Sequence, residues 1–200
     1  MGRPKDKSET RKKEILDNFY TVLAEEGLEG ASIAKVAGRM GINPSLVIHY
    51  FSTKEEMVVA LVDRVLEMYE QTFIPQLSGI EDPQDRMEAA ADTFFGSDWA
   101  QLVDHGVFYA CYSLSFRNQR VRQSLQRMYS RLRELLMAEM GDLMEKGVII
   151  KADPGLLADL VISLLEGYDF YRWIIEDKKQ RQEFCGFLKE SLLGMLRANG

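Results

Sequence analysis

Within "INPSLVIHYFSTKEEM", Ile42 to Met57, polar side chains of several chemistries crowd a segment that is otherwise apolar. Asn43 and Ser45 each carry a donor and an acceptor, His49 and Tyr50 are adjacent, and Lys54 follows with a positive charge. Together they could grip a polar or anionic surface through several hydrogen bonds at once. They are poorly suited to making or breaking covalent bonds. His49 and His105 are the two histidines of the chain. No His/Cys/Glu set has metal-ligand spacing, and neither a glycine-rich phosphate loop nor a nucleophile elbow is present. The paired carboxylates Glu25-Glu26 and Glu55-Glu56 fall on solvated helix faces. The expectation is a non-enzymatic protein with no catalytic residues, no metal and no cofactor.

Almost the whole chain reads as helix. Apolar residues recur at spacings of three and four, and β-branched alternation is missing. A first helix is expected from about 8 to 26, with Ile15, Leu16, Phe19, Val22 and Leu23 on one face and Gly27 as its C-terminal glycine. Ser32 caps a second, "SIAKVAGRM", with Ile33, Val36, Ala37 and Met40 inward and Gly41 closing it. Asn43-Pro44, an N-cap side chain followed by proline, starts a third that runs to about 51. "TKEE", Thr53 to Glu56, reads as a capping box opening a long fourth helix toward 77. Asp82-Pro83 and Asp153-Pro154 open helices near 83–96 and 154–176. Others are expected near 106–116, 119–146 and 179–197, with a short helical piece around 97–104. The fold class expected is all-α, with about nine helices in total.

The net charge of −6 conceals an asymmetry. Residues 1–54 hold nine Lys/Arg against seven Asp/Glu, which leaves −8 on the remainder, and residues 1–13 alone carry +4. A basic end on an acidic body fits an anionic partner at that end, although a solvated tail would give the same count. Cys111 and Cys185 have apolar neighbours and no metal or redox spacing, as expected of buried thiols in a reducing cytoplasm. No apolar leader follows the start. "GLLADLVISLLEG" is broken by Asp159 and falls short of the roughly 18 apolar residues of a membrane span. Asp6 stands where a myristoylation signal needs Ser or Thr. A cytoplasmic protein with no membrane partner is expected.

Helices of roughly 19, 9 and 8 residues, the last two joined by the turn "GIN", have helix-turn-helix spacing. In that motif the second helix of the pair enters the major groove of double-stranded DNA and its N-terminal residues meet base edges. Here those residues are Asn43, Pro44, Ser45 and Leu46. Asn43, Ser45 and Lys35 are assigned to reading bases; Ser32 (at a helix N-terminus), His49, Tyr50 and Lys54 are assigned to phosphates. Each of the last three has a plainer alternative: His49 bonded to backbone, Tyr50 packed with its hydroxyl satisfied, Lys54 in solvent. A cation is unfavourable at a helix N-terminus, which favours an anionic partner for Lys54. A helical protein-interaction module without specific DNA binding is the competing class. It does not account for a basic leader beside a capped helix-turn-helix.

"SIAKVAGRMGINPSLVIHYFSTKEEMVVAL" resembles the DNA-binding segment of TetR-family transcriptional regulators. The shared features are a capped short helix (Ser32), a glycine turn (Gly41), a recognition helix ending in His49-Tyr50-Phe51, and Thr53-Lys54-Glu55 with Met57. The match covers about residues 10–62. Ser45 stands where the family commonly has Gly or Ala, and Ile48 where it commonly has a DNA-contacting Tyr, so Tyr50 would assume some of that role. The leader "MGRPK" is similar to minor-groove arms, with Arg3 either in the groove or part of a solubilising tail. The division expected is residues 1–52 for DNA binding and residues 53–200 for effector binding and dimerisation.

"EKGVIIKADPGLLADLVISLLEG" is similar to the family's approach to its penultimate helix. The resemblance implies a four-helix bundle between two copies, for which Leu157, Leu160, Val161, Leu164, Phe184, Leu188, Leu192 and Met195 offer suitable faces. Read without it, those stripes could equally close the monomer's own core. A homodimer matches a palindromic operator by two-fold symmetry. Phe95, Trp99, Phe108, Tyr109, Tyr112, Phe116, Tyr168 and Tyr171 exceed together what packing needs, though any one of them can be core. An effector pocket for a small apolar or aromatic molecule is expected between helices near 94–116 and 160–173, with His105 and Arg172 as candidate polar handles. The resemblance also implies repression, relieved when the effector moves the fourth helix.

Overall fold

The computed structural model describes residues 4–96 and 103–197, with side chains from residue 7 onward. The expected helical piece around 97–104 falls largely outside them, and Arg3 and Trp99 lie outside the described residues. Nine helices occur among the described residues: α1 (Pro4–Gly30), α2 (Ile33–Met40), α3 (Pro44–Tyr50), α4 (Lys54–Ser78), α5 (Pro83–Phe95), α6 (His105–Ser115), α7 (Gln119–Glu145), α8 (Pro154–Ile174) and α9 (Lys178–Leu196). No strand occurs among them, and the one β-type pairing is an isolated bridge between Ile149 and Arg197. The fold is all-α, as the apolar spacing requires.

Side-chain caps set most of the helix starts. Ser32 accepts the Lys35 N–H at 3.3 Å and Asn43 the Ser45 N–H at 2.9 Å. Asp82, Asp104, Asp153 and Asp177 do the same for α5, α6, α8 and α9. Each such cap is worth ~1 kcal/mol. Gly27 has φ 69°, a left-handed conformation that breaks helical geometry. One further turn follows it, so α1 reaches Gly30 rather than ending where the sequence indicates. The box at the start of α4 also differs from expectation. Thr53 Oγ1 accepts the Glu56 N–H at 3.2 Å, but the Glu56 carboxylate accepts from Ser52 N–H at 2.9 Å, one residue upstream of the usual partner.

The chain divides into two compact units: residues 1–67 with 103–128, and residues 68–102 with 129–200. The division falls inside α4 and inside α7. In the first unit α1 packs on α2 and α6, and α2 on α3. Ile15, Phe19, Val36, Val47 and Met57 are fully buried there, at 0% exposure. Asp104 N–H donates to the Tyr20 hydroxyl at 2.7 Å, fixing the start of α6 against α1. Ser124, also completely buried, donates to Asp63 at 2.6 Å and so ties α7 to α4.

In the second unit Phe95, Leu136, Met140, Leu143, Ala158, Val161, Leu165, Leu192 and Leu196 belong to one buried cluster. Arg86 braces it from the side, donating to Glu139 and Asp142, each at 2.6 Å, and to the Ile80 carbonyl at 3.1 Å. The two carboxylates raise the Arg86 pKa further above its ordinary value, Glu139 most strongly. Ile150 N–H donates to the Leu196 carbonyl at 2.8 Å, pinning the end of α9 to the segment after α7.

Of the two cysteines, Cys111 is buried as expected, and desolvation pushes its thiol up to about 12. Cys185 is half-buried instead, and its thiol donates to the Phe95 carbonyl at 3.0 Å. Iodoacetamide at pH 8 is expected to label Cys185 in the native protein and Cys111 after unfolding. Equal rates at both sites in the native state would contradict the burial of Cys111. The folded protein keeps the Cys111 proton where an unfolded thiol gives it up, so this contribution to stability falls as pH rises from about 9 toward 12.

Candidate nucleic-acid interface

The recognition helix α3 has seven residues, too few for stable helix in isolation. Its caps and two anchors hold it. Val47 is fully buried and Phe51 is 6% exposed, and Phe51 N–H donates to the Val47 carbonyl at 2.9 Å. Gly41, at φ 64° and ψ 31°, makes the left-handed turn after α2, its N–H reaching back to the end of that helix. Asn43 then starts α3 after one intervening residue. With Val47 and Phe51 inward, 100° per residue carries Ser45 and His49 to the outer face; both are exposed, as are Ile48 at its edge and Pro44 in the first turn. Leu46 and Tyr50 are half-buried at the margins. The His49 and Tyr50 rings meet edge to face, with centroids 5.1 Å apart.

Ile48, 50% exposed, is the residue that the reading of single side chains missed. The signal was available: one position after the buried Val47, residue 48 turns by about 100°, to the edge of the face that carries Ser45 and His49. An outward isoleucine beside hydroxyl and imidazole groups suits apolar contact with a thymine methyl. The Asn43 carbonyl oxygen is occupied by its capping bond, which leaves its amide NH2 for a base.

The cations of this region are engaged within the protein. The Lys35 ammonium pairs with Glu26, and Arg39 donates to Glu25 at 2.9 Å. Lys54 reaches back to the Leu28 carbonyl at 2.8 Å, in the extra turn beyond Gly27. That carbonyl offsets the unfavourable placement of an ammonium at the start of α4. Ser32 remains half-buried at the α2 N-terminus, its oxygen occupied as a cap acceptor and its hydroxyl proton available to a phosphate.

The remaining candidates separate by unit. In the first, Phe108 and Tyr109 are half-buried and edge to face at 5.5 Å, and Tyr112 packs the same way on the exposed Phe116 at 5.2 Å. In the second, Phe95 and Tyr168 are core residues with ring centroids 5.6 Å apart, and Phe184 lies against both Tyr168 and Tyr171. Arg172 stacks over Tyr168 at 5.5 Å. Among the dimerisation candidates Val161 and Leu192 are buried in their own unit's core, and Leu157, Leu164, Phe184 and Leu188 pack against it. Leu160 and Met195 are exposed, as are Leu156 and Phe187 on the same two helices. No group of His, Cys, Asp or Glu among the described residues is placed to hold a metal ion. No described helix is long and apolar enough to cross a membrane.

A capped helix-turn-helix with an outward polar face, on an otherwise helical chain, defines a DNA-binding transcriptional regulator. Residues 15–61 match the family "Bacterial regulatory proteins, tetR family", and residues 82–198 match "Tetracyclin repressor-like, C-terminal domain". The chain belongs to the TetR family of transcriptional regulators, a non-enzymatic class. It is 25% identical over 127 residues to the HTH-type transcriptional regulator BetI of Rhizobium meliloti, covering 64% of this chain and 63% of that protein. It is 25% identical over 151 residues to BetI of Paraburkholderia phytofirmans, covering 75% and 77%. The fold is shared with a TetR transcription regulator from Haloarcula marismortui, at TM-score 0.80 and 18% identity, covering 94% of this chain and all (100%) of that one. It is also shared with a transcriptional regulator from Saccharomonospora viridis in complex with choline, at TM-score 0.82 and 14% identity, covering 96% and 100%.

Lys54→Met keeps the length of the side chain but removes the bond to Leu28. Urea denaturation is expected to show a loss of about 1.5–3 kcal/mol, the range for hydrogen bonds to charged groups. An unchanged midpoint would mean that the ammonium does not hold the end of α1.

Proposed function

We propose that this regulator is a repressor that binds a palindromic operator as a homodimer and is released by a small apolar or aromatic effector. Residues 1–52, joined by Lys54 at the start of α4, supply the DNA contacts, and residues 53–200 the effector site and the dimer interface. The observation that carries the reading is the outer face of α3, where Ser45, Ile48 and His49 are exposed while Val47 is fully buried. Asn43, Ser45, Ile48, Lys35 and the margin residues Pro44 and Leu46 address base edges; Ser32, His49, Tyr50 and Lys54 address phosphates, Lys35 and Lys54 by exchanging their internal partners. Regulation by a small molecule draws support from the choline complex of the Saccharomonospora viridis regulator. It also draws support from the Phe95, Tyr168, Phe184 and Tyr171 rings, which bring apolar surface and two phenols together.

Fluorescence anisotropy with duplexes selected from a random pool tests the DNA reading. A palindrome is expected to be enriched and bound by two protomers. Tyr50→Ala should weaken all duplexes alike, as loss of a phosphate contact does, while Ser45→Ala or Ile48→Ala should relax sequence preference. No enrichment over random duplex at moderate salt would overturn the proposal.

Dimerisation has its own support in apolar side chains left exposed on α8 and α9, among them Leu156 at 70%, Leu160 at 36%, Phe187 at 67% and Met195 at 51%. Scattered exposed leucines are ordinary, but several large apolar side chains on two neighbouring amphipathic helices call for a cover. Leu160→Asp with Met195→Glu is expected to convert a sedimenting dimer to monomer with little change in helicity. A dimer that persists in the double variant would place the interface elsewhere.

A further inference from the structure

The first unit holds a second basic feature, outside the helix-turn-helix. From His105 to Met128 the sequence has four arginines, Arg117, Arg120, Arg122 and Arg127, and no Asp or Glu, in a chain whose net charge is −6. Two of the four are neutralised by α4. Arg120 donates to Glu56 at 3.3 Å, and Arg127 to Asp63 at 3.0 Å. For the other two, no side-chain partner occurs among the described residues. Arg117 and Arg122 line an open cleft of about 430 Å³ between the end of α6 and the first turns of α7, together with Phe116, Asn118, Gln123 and Gln126. Phe116 is 74% exposed.

Two facts indicate what the cleft faces. The helix turn that borders it is tied to the exit of the recognition helix: Glu56, which takes the bond from Arg120 in the first turn of α7, also takes the Ser52 N–H, directly after Phe51. The helix-turn-helix itself also has few uncommitted charges, since Lys35, Arg39 and Lys54 are all engaged. An acidic protein that binds a polyanion needs free cations on the bound side. In this unit Arg117 and Arg122 are two such cations, in addition to the +4 carried by residues 1–13.

We propose that Arg117 and Arg122 contact the sugar-phosphate backbone of duplex DNA flanking the half-site, extending the footprint beyond the helix-turn-helix without reading sequence. This rests on the DNA-binding reading above. Guanidinium forks bind phosphate oxygens bidentately, and the neighbouring amides of Asn118, Gln123 and Gln126 add donors at the same wall.

The test uses the full chain and the duplex that it enriches from a random pool, made with short and with long flanks. Affinity is measured against salt for wild type and for R117Q/R122Q. On the long duplex each lost phosphate contact lowers the slope of log K against log salt by about 0.9, so the double variant should lose about 1.8 per protomer. On the short duplex the two proteins should match, and preference among sequences should be unchanged. Equal slopes on the long duplex would overturn the proposal, and so would an equal loss on both duplexes. Wild type failing to enrich any duplex would instead overturn the underlying DNA reading. Melting of the double variant checks that it is folded. R120Q, which breaks the bond to Glu56, serves as a contrast: it should affect both duplexes through α4 rather than through flank length.

Discussion

The burial of Val47 and Phe51 is the constraint from which the interface follows. A seven-residue helix gains too few internal hydrogen bonds to persist in water, so its direction is decided by what it buries. With those two side chains in the core, rotation about the helix axis is fixed, and the identities at positions 45, 48 and 49 become the outward surface. The same anchor passes its position onward. Phe51 ends α3, Ser52 donates to Glu56, and Glu56 holds Arg120 on α7. Its carboxylate is kept below the usual range by these bonds, the Ser52 N–H foremost, so it stays charged through the neutral range. The placement of α3 is thus shared by α1, α2, α4 and the first turns of α7 within one compact unit.

Electrostatics in that unit are largely internal. The positive charges nearest α3 are committed to Glu25, Glu26 and a backbone carbonyl, all on α1. Two of these are exposed ion pairs, which contribute little to stability and exchange partners readily in water. Lys54 is different, because its partner is a carbonyl in the turn made possible by Gly27. Arg86 in the second unit differs again: its guanidinium is mostly shielded and has three acceptors, so it acts as a brace for α5 and α7 rather than as a surface charge.

Much of this was legible in the sequence. Proline after Asn or Asp marked the starts of α3, α5 and α8, and three-and-four spacing marked the core face of α1. Such signals survive because they act within one or two turns. The reach of long side chains was not legible. Nothing local to Lys35 or Lys54 indicates that Glu26 or the Leu28 carbonyl stands within reach, and both were read as if free. Ile48 was passed over because it lacks the hydroxyl of the tyrosine common at that position, and its exposure beside Ser45 and His49 was not weighed. On α8 and α9, spacing alone could not say which leucines serve the unit's own core. The structure assigns Val161 and Leu192 to it and leaves Leu160 and Met195 exposed.

The order of the two units along the chain bears on how the protein is made. The first unit draws on residues 1–67 and 103–128, and the second on residues 68–102 and 129–200. Synthesis therefore delivers the helix-turn-helix long before α6, which packs on α1, and before Ser124, which closes on Asp63. The intervening α5 belongs to the other unit and must wait in turn for α8 and α9. A nascent chain that has released α3 carries an unfinished reading head, with the side of α1 that α6 packs on still lacking that helix. Each unit is complete only once its later segment, residues 103–128 or residues 129–200, has been made, in contrast to the usual domain-by-domain order.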